Sequence, residues 1–217
     1  MEEVVRKFIA LSVALVLLLA LACGGGGGET QAKGEAKHVA QFLDNIFKKG
    51  DLNAAYQMMA SEERAMMGMI PGFYDFITGK DNDTMSEEMR LMRVMYEELI
   101  PIPENLIKYE IGEPVGEGDT LTVPITFSVP KEDMEDFFKA RIDQETFDKM
   151  ENLDELDAPF EEKTKIIKDA IGQAKSAIEG ETFEMETNTN NITLIKKEGE
   201  WKISFLQSGL MDNFGGF

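Results

Sequence analysis

The sequence predicts an α+β fold in which helices come first and an antiparallel sheet follows. Three observations support this class. Between residues 35 and 100, apolar residues recur at intervals of three and four, as on one face of an α-helix. From residue 107 the interval changes to two, which is typical of strands with one buried face. A helical interval returns over about residues 131–180, so we expect an acidic helical insertion between strands.

The first two helices have clear boundaries. Gly50 is a natural stop and Asp51 a natural N-cap, so we expect the first helix to end near Lys49 and a short second helix to span Leu52–Ala60. The first helix begins near Glu35, and its apolar positions form one stripe: Ala36, Val39, Ala40, Leu43, Ile46 and Phe47.

The next region is less regular. Residues 61–80 are apolar but interrupted by Gly and Pro, which predicts short helical turns and loop. Thr84-Met85-Ser86-Glu87 has the form of a capping box and predicts a helix to about Ile100. Pro101 and Pro103 then end it.

Two strands are predicted next, where apolar and polar residues alternate. The first contains Ile107, Tyr109 and Ile111, and the second covers residues 121–129, with turns over residues 113–119 between them. Pro124 in the second strand has no N–H to donate to a neighbour. We therefore expect this strand to lie at an edge or to carry a bulge.

The sheet is completed after the insertion. Residues 182–197 return to a strand pattern, Glu198-Gly199 predicts a hairpin turn, and the last strand contains Trp201, Ile203 and Phe205. We expect one α+β domain over residues 35–208, followed by a tail over residues 209–217.

The N-terminus predicts export. Arg6 and Lys7 precede Phe8–Ala22, an uncharged apolar run of fifteen residues. At 1.5 Å per residue, this run falls short of the roughly 30 Å hydrocarbon core of a bilayer, so it fits a signal peptide better than a membrane span. Leu19-Ala20-Leu21-Ala22-Cys23 resembles the lipobox of bacterial lipoproteins. That resemblance implies cleavage between Ala22 and Cys23 and lipid attachment to the Cys23 thiol.

Residues 23–34 are then expected to form a lipidated, Gly-rich flexible tether. Gly24, where some inner-membrane lipoproteins carry Asp, favours the outer membrane or the cell surface. The chain has a formal net charge of −19, which argues against binding to nucleic acid. The charge serves solubility or a cationic partner. Cys23 is the only cysteine, so no disulfide within the domain is expected.

Two segments carry a resemblance to a known superfamily. Val39–Ala60 places Lys49-Gly50-Asp51-Leu52 and Ala54-Ala55 after an apolar helix, and Lys197–Ser204 contains a Gly-Glu-Trp-Lys-Ile turn and strand. With the order of helices and strands, they resemble the nuclear transport factor 2-like superfamily. The resemblance implies a cystatin-like cone, with helices packed on a curved antiparallel sheet. Members include enzymes, ligand-binding proteins, adaptors and lipoproteins, so the fold does not decide the function.

A set of apolar and aromatic residues is the candidate lining of a cavity or groove. Methionine adapts to irregular surfaces, and tyrosine presents an apolar ring with a polar tip. The same residues also suit plain core filling, and thioethers also suit Cu(I). Neither His nor free Cys joins the methionines, so we expect no metal and no cofactor. The candidate residues are Tyr56, Met66, Met89, Met92, Tyr96, Tyr109 and Phe127.

A catalytic set is not evident. Enzymes of the superfamily place Asp, His or Tyr inside the cone, but the one histidine, His38, falls near the tether. Asp75 follows Tyr74 in an irregular region. Asp81-Asn82-Asp83 begins like a calcium loop, and the residues after it do not continue the pattern.

We therefore expect a lipid-anchored envelope protein that is not an enzyme and binds an apolar small molecule or a protein partner. The alternatives are a cone-fold lyase or isomerase and a structural envelope protein.

Overall fold

The computed structural model describes residues 34–70, 72–80, 85–103, 105–132, 134–153 and 155–204. In these ranges the α+β class is confirmed, with helices and an open antiparallel sheet of five strands. The helices are α1 Ala36–Phe47, α2 Leu52–Gln57, α3 Ser61–Met67, α4 Phe73–Thr78, α5 Glu87–Leu99, α6 Met134–Arg141, α7 Gln144–Glu151 and α8 Phe160–Ile178. The strands are β1 Lys108–Ile111, β2 Val115–Glu117, β3 Thr120–Pro130, β4 Met185–Lys197 and β5 Glu200–Ser204.

Local capping explains where the helices begin. The Asp51 side chain accepts a hydrogen bond from the Ala54 N–H at 2.8 Å, which starts α2 as expected. Ser86 rather than Thr84 caps α5, because its hydroxyl accepts from the Met89 N–H at 3.3 Å and α5 then begins at Glu87. Thr84 itself lies outside the described residues.

Other local elements differ from the expectation. α2 ends three residues early, whereas residues 61–80 hold the two short helices α3 and α4, in agreement with the expected short helical turns and loop. Val115–Glu117, expected as turn, is the strand β2 and pairs with Thr120–Thr122 of β3. A three-residue strand has too few positions for alternation to be visible in the sequence.

The sheet has the order β1-β3-β4-β5, with β2 also on β3, and all strand pairs are antiparallel. The predicted hairpin turn between β4 and β5 is present. Glu198 and Gly199 have φ values of +53° and +87°. Positive φ at both central residues gives a turn whose twist matches that of the flanking strands.

Pro124 does not lie in an edge strand, but the alternative expectation of a bulge agrees with the register. Between the segments that pair as β1 and β2, residues 112–114 lie opposite only Val123 and Pro124, so the chain facing β3 carries one extra residue. β3 lies between β1 and β4, and Pro124 pairs in register with Asn191 of β4. The Gly112 N–H donates to the Pro124 carbonyl at 2.7 Å, so this residue's polar backbone faces the gap between β1 and β2. Proline has no N–H to donate to a neighbouring strand. At Pro124 this donor would face the gap between β1 and β2, where the regular pairing of β3 is already interrupted.

One face of the sheet forms the main core. Val123 and Ile125 of β3, together with Ile192 and Leu194 of β4, are completely buried. They pack against helices α1, α2, α4 and α5, whose buried members include Val39, Phe42, Leu43, Ile46, Leu52, Ala55, Phe76, Ile77 and Tyr96.

The chain between β3 and β4 forms a third layer. Helices α6, α7 and α8 lie over the residues where a helical insertion is expected. Ile167 and Ile171 of α8 form a second apolar cluster with Leu91 of α5. The Lys163 ammonium of α8 also pairs with the Glu87 carboxylate at 2.8 Å. α5 is therefore covered on two sides, by the first core and by the insertion.

The close approach of Gly112 to Pro124 of β3 requires a residue without a side chain at position 112. A Cβ at Gly112 would lie 2.6 Å from Pro124 Cγ and 3.2 Å from the Pro124 carbonyl oxygen. We expect Gly112→Ala to lower the free energy of unfolding by about 1–3 kcal/mol, because the proline ring and the strand must shift. Urea denaturation followed by circular dichroism measures this change.

Gly172 provides the matched control. A Cβ at Gly172, inside α8, would meet no atom within 4 Å. Gly172→Ala should raise the free energy of unfolding by up to about 1 kcal/mol through helix propensity alone. Equal effects of the two substitutions would contradict the close approach of Gly112 to Pro124.

Candidate functional site

The structure brings most of the candidate pocket residues together, inside the main core. Tyr96, Tyr109 and Phe127 are buried in it. Tyr56, Met89 and Met92 are half-buried and pack against the same cluster. Met66 is the exception, since 38% of it is exposed.

The tyrosine hydroxyls of this group are engaged within the protein. Tyr96 donates to the Ile46 carbonyl at 2.6 Å, and Tyr56 donates to the Arg64 carbonyl at 2.7 Å. Burial raises the pKa of Tyr96 well above its usual range, and the nearby positive charge of Arg93 opposes that shift only in part. These hydroxyls join one element to another and therefore act as structural groups.

Tyr109 pairs with a carboxylate at the edge of this cluster. Its hydroxyl donates to Asp44 Oδ1 at 2.8 Å. The Asp44 side chain is 34% exposed and pairs with the Lys48 ammonium at 2.9 Å. A carboxylate that is exposed and balanced by a lysine lacks the low-dielectric setting that prepares an acid for catalysis.

Other chemistry-bearing residues lie apart from the cluster. His38 is half-buried in the first turn of α1. The pKa of Glu200 is lowered mainly by its hydrogen bond to Lys202. Tyr74 is exposed while its neighbour Asp75 is buried, so the two side chains point to different sides of α4. Among the residues described, no three His, Cys, Asp or Glu side chains lie close enough together to hold a metal ion.

Three surface depressions are lined by other residues than the candidate set. The first, of about 510 Å³, lies between Pro101, Asn105 and the C-terminal end of α8, where burial lowers the pKa of Lys175. The second contains Arg90, whose guanidinium carbon lies 4.6 Å from the centre of the Phe160 ring. The third lies beside Gly34 and Trp201. Six of the seven candidate residues pack in or against the main core, Met66 is exposed, and none of the seven lines these three depressions.

The opposite face of the sheet is a surface that the sequence alone did not reveal. Directly opposed residues of antiparallel strands share a face. The register therefore aligns polar residues of three strands, and Thr126 and Thr189 lie with their hydroxyl oxygens 3.1 Å apart. We call this surface the outer sheet face, and its residues are Lys108, Glu110, Thr126, Ser128, Thr187, Thr189 and Asn191. The sequence shows only that polar positions occur along these strands. The register of the sheet shows that these positions form one surface.

The predicted leader and anchor fall outside this structure. Ala22 and Cys23, the tether through residue 33 and the tail lie outside the described residues. Within the part of the chain that is described, the helices are too short or too polar to cross a bilayer. No protein-family model, no curated protein and no solved structure matches the chain.

Tyr96 tests the structural role of the candidate cluster. We expect Tyr96→Phe to lower the free energy of unfolding by about 1–2 kcal/mol, because the buried Ile46 carbonyl loses its donor. The folded-state pKa of Tyr96 lies above the ordinary 10.0, so its contribution is complete below pH 10 and is lost as the pH rises further. Urea denaturation of both proteins between neutral pH and about pH 11 measures the difference.

Tyr74→Phe is the matched control, because half of Tyr74 is exposed. It should leave the unfolding free energy within about 0.5 kcal/mol of the original. If Tyr96→Phe were as neutral as Tyr74→Phe, the bond from Tyr96 to Ile46 would have no structural role.

Proposed function

We propose that this protein is a lipid-anchored component of the bacterial cell envelope, without enzymatic activity, whose domain binds a protein partner through the outer sheet face. The lipobox-like Leu19–Cys23 and the Gly-rich residues 24–28 support the anchor. On this proposal, the helices and the sheet form the cystatin-like cone of the nuclear transport factor 2-like superfamily, which includes adaptors.

The packing of the candidate lining residues is the observation that favours a protein partner over an apolar small molecule. Six of the seven candidate lining residues pack in or against one cluster of buried side chains. Small-molecule sites are usually enclosed apolar cavities with a few polar groups. Side chains that pack in or against a core cluster are engaged with one another, which favours recognition at the surface of the domain.

The composition of the outer sheet face also suits a partner. Its central residues are Thr126, Ser128, Thr187, Thr189 and Asn191, and none of them is charged although 29% of the chain is charged. Interface centres are depleted in charged residues. Threonine and serine lose little side-chain entropy when ordered and supply both donors and acceptors.

A cone-fold lyase or isomerase finds less support. Such an enzyme needs an acid or base held against its substrate in a water-poor cavity. Asp44, which accepts the hydrogen bond from Tyr109, is partly exposed and also pairs with the Lys48 ammonium.

The anchor is tested by Cys23→Ser. We expect the full chain, expressed in a bacterial host, to incorporate radiolabelled palmitate, and the Cys23→Ser variant to lose that label completely, because the thiol is the acceptor. Gly24→Ser is the control and should keep the label. Equal labelling of the Cys23→Ser variant and the original would refute lipidation at Cys23.

The outer sheet face is tested by photo-crosslinking in the native host. A benzoylphenylalanine at Thr187 lies on this face, whereas one at Glu186, also exposed, lies on the opposite face, since one step along a strand reverses the side. We expect an adduct of one defined mass at residue 187, and its loss when Thr189→Arg is added.

Adducts of equal yield from residues 186 and 187, or an adduct unaffected by Thr189→Arg, would contradict a partner on this face. A full-length chain of unchanged thermal stability is the control for folding in each variant.

A further inference from the structure

An exposed apolar cluster lies where α3 ends and α4 begins. Among the described residues, five large apolar side chains are exposed, and four of them fall within nine positions of the chain. Their exposed fractions are 38% for Met66, 77% for Met69, 52% for Ile70 and 50% for Tyr74. We call these four residues the apolar tip. The fifth, Val115, lies elsewhere, in β2.

Neighbouring residues and backbone hydrogen bonds hold the apolar tip in place. Met67 and Phe73, which lie between its members, pack against the main core. The N–H groups of Gly68, Met69 and Ile70 donate to the carbonyls of Arg64, Met66 and Met67 at 2.9, 3.1 and 3.1 Å. Backbone N–H groups that are already bonded within the chain remove the main cost of entering a medium without water.

The apolar tip itself is uncharged. Residues 66–74 contain no charged residue in a chain whose net charge is −19. The bases Arg64 and Lys80 flank this stretch, and beyond them lie the acids Glu62, Glu63, Asp81 and Asp83. An acidic protein is repelled by anionic headgroups, so an uncharged stretch is the part of it that can approach a bilayer surface most closely.

The tether would bring the apolar tip within reach of the membrane. Gly34 lies beside Trp201 of the β4–β5 hairpin, and Glu62 at the start of α3 pairs with Lys197 of the same hairpin at 2.8 Å. The seven residues of α3 span about 10 Å. The eleven residues 24–34 have a typical span of about 18 Å if flexible. A lipid on Cys23 would thus keep the start of the domain within about 18 Å of the bilayer, which raises the effective concentration of the membrane at any surface of the domain that binds it.

We propose that the apolar tip is a membrane-docking site that inserts Met66, Met69 and Ile70 into the headgroup–acyl boundary of the bilayer, with the Tyr74 ring at headgroup level. This inference rests on the proposed lipid anchor at Cys23. Docking gives the domain a fixed orientation on the membrane, which a flexible tether alone does not provide. Tyrosine favours such interfaces because its ring is apolar and its hydroxyl stays hydrated.

The test uses the full chain, processed in a bacterial host and reconstituted into vesicles of phosphatidylcholine and phosphatidylglycerol. Met69→Cys supplies a thiol for bimane, since a lipidated Cys23 has none free. Val115→Cys is the matched control: it is 67% exposed and apolar, but Glu113 and Glu117 flank it. Lipids carrying a doxyl group near the headgroup should quench bimane at residue 69 about threefold more than at residue 115, given an insertion depth of about 5–10 Å.

A second substitution tests the chemistry of the contact. Adding Ile70→Glu to the Met69→Cys chain should remove most of the quenching at residue 69, because an ionised carboxylate resists transfer into the interface. Both altered positions are exposed, so unchanged thermal unfolding is the control for folding.

The experiment distinguishes failure of the lipid anchor from failure of membrane docking. Bimane found on Cys23 would show that no lipid is attached there, and would overturn the anchor together with this inference. Lipid on Cys23 with equal quenching at residues 69 and 115 would overturn membrane docking alone. Shielding of residue 69 in native membranes without quenching by doxyl lipids would also overturn it, and would assign the apolar tip to a protein partner.

Discussion

The main core, in which α1 shares one cluster of buried side chains with β3 and β4, is the constraint on which the other elements depend. Val39, Leu43 and Ile46 of α1 are completely or almost completely buried, as are their counterparts in the centre of the two strands. Each buried aliphatic side chain of this kind contributes about 1.5–3 kcal/mol relative to exposure. A shift of the strands by one residue would turn these apolar residues to the solvent side, so the same packing also fixes the register.

That register determines what the remaining surfaces are. With one face of β3 and β4 committed to the core, the polar positions of the same strands form the outer sheet face. α5 then completes the first core with Met89, Met92 and Tyr96 and offers Leu91, Val94 and Met95 to the insertion. The methionines of α5 therefore serve two separate clusters, although their spacing by three resembles a single groove when the sequence is considered alone.

The elements with long, regular periodicity were predictable from the sequence. α1 and β3 begin and end within two residues of their expected limits, because each repeats its apolar interval several times. β2 and the short helices α3 and α4 provide too few repeats. For Pro124 the sequence left an edge strand and a bulge open, because the rule concerns only a missing donor. The topology decides between them, since the chain that faces β3 has one extra residue next to Gly112.

The candidate site was predictable in part. Sequence patterns indicate that Tyr96, Tyr109 and Phe127 belong on buried faces, and they do. Patterns do not indicate whether facing side chains leave space between them, because that depends on side-chain volumes brought together by the fold. Met66 is exposed while its neighbour Met67 packs against the main core, because adjacent residues of α3 point to different sides of the helix.

The proposed function combines a lipid anchor near the N-terminus with a domain whose candidate lining residues pack in or against the main core. Native mass spectrometry of the full chain, extracted gently from the membranes of its own host, measures both properties at once. We expect the mass of residues 23–217 plus covalent lipid, with no further mass that is lost on denaturation. A chain without lipid, or a bound organic molecule released on denaturation, would contradict the proposal.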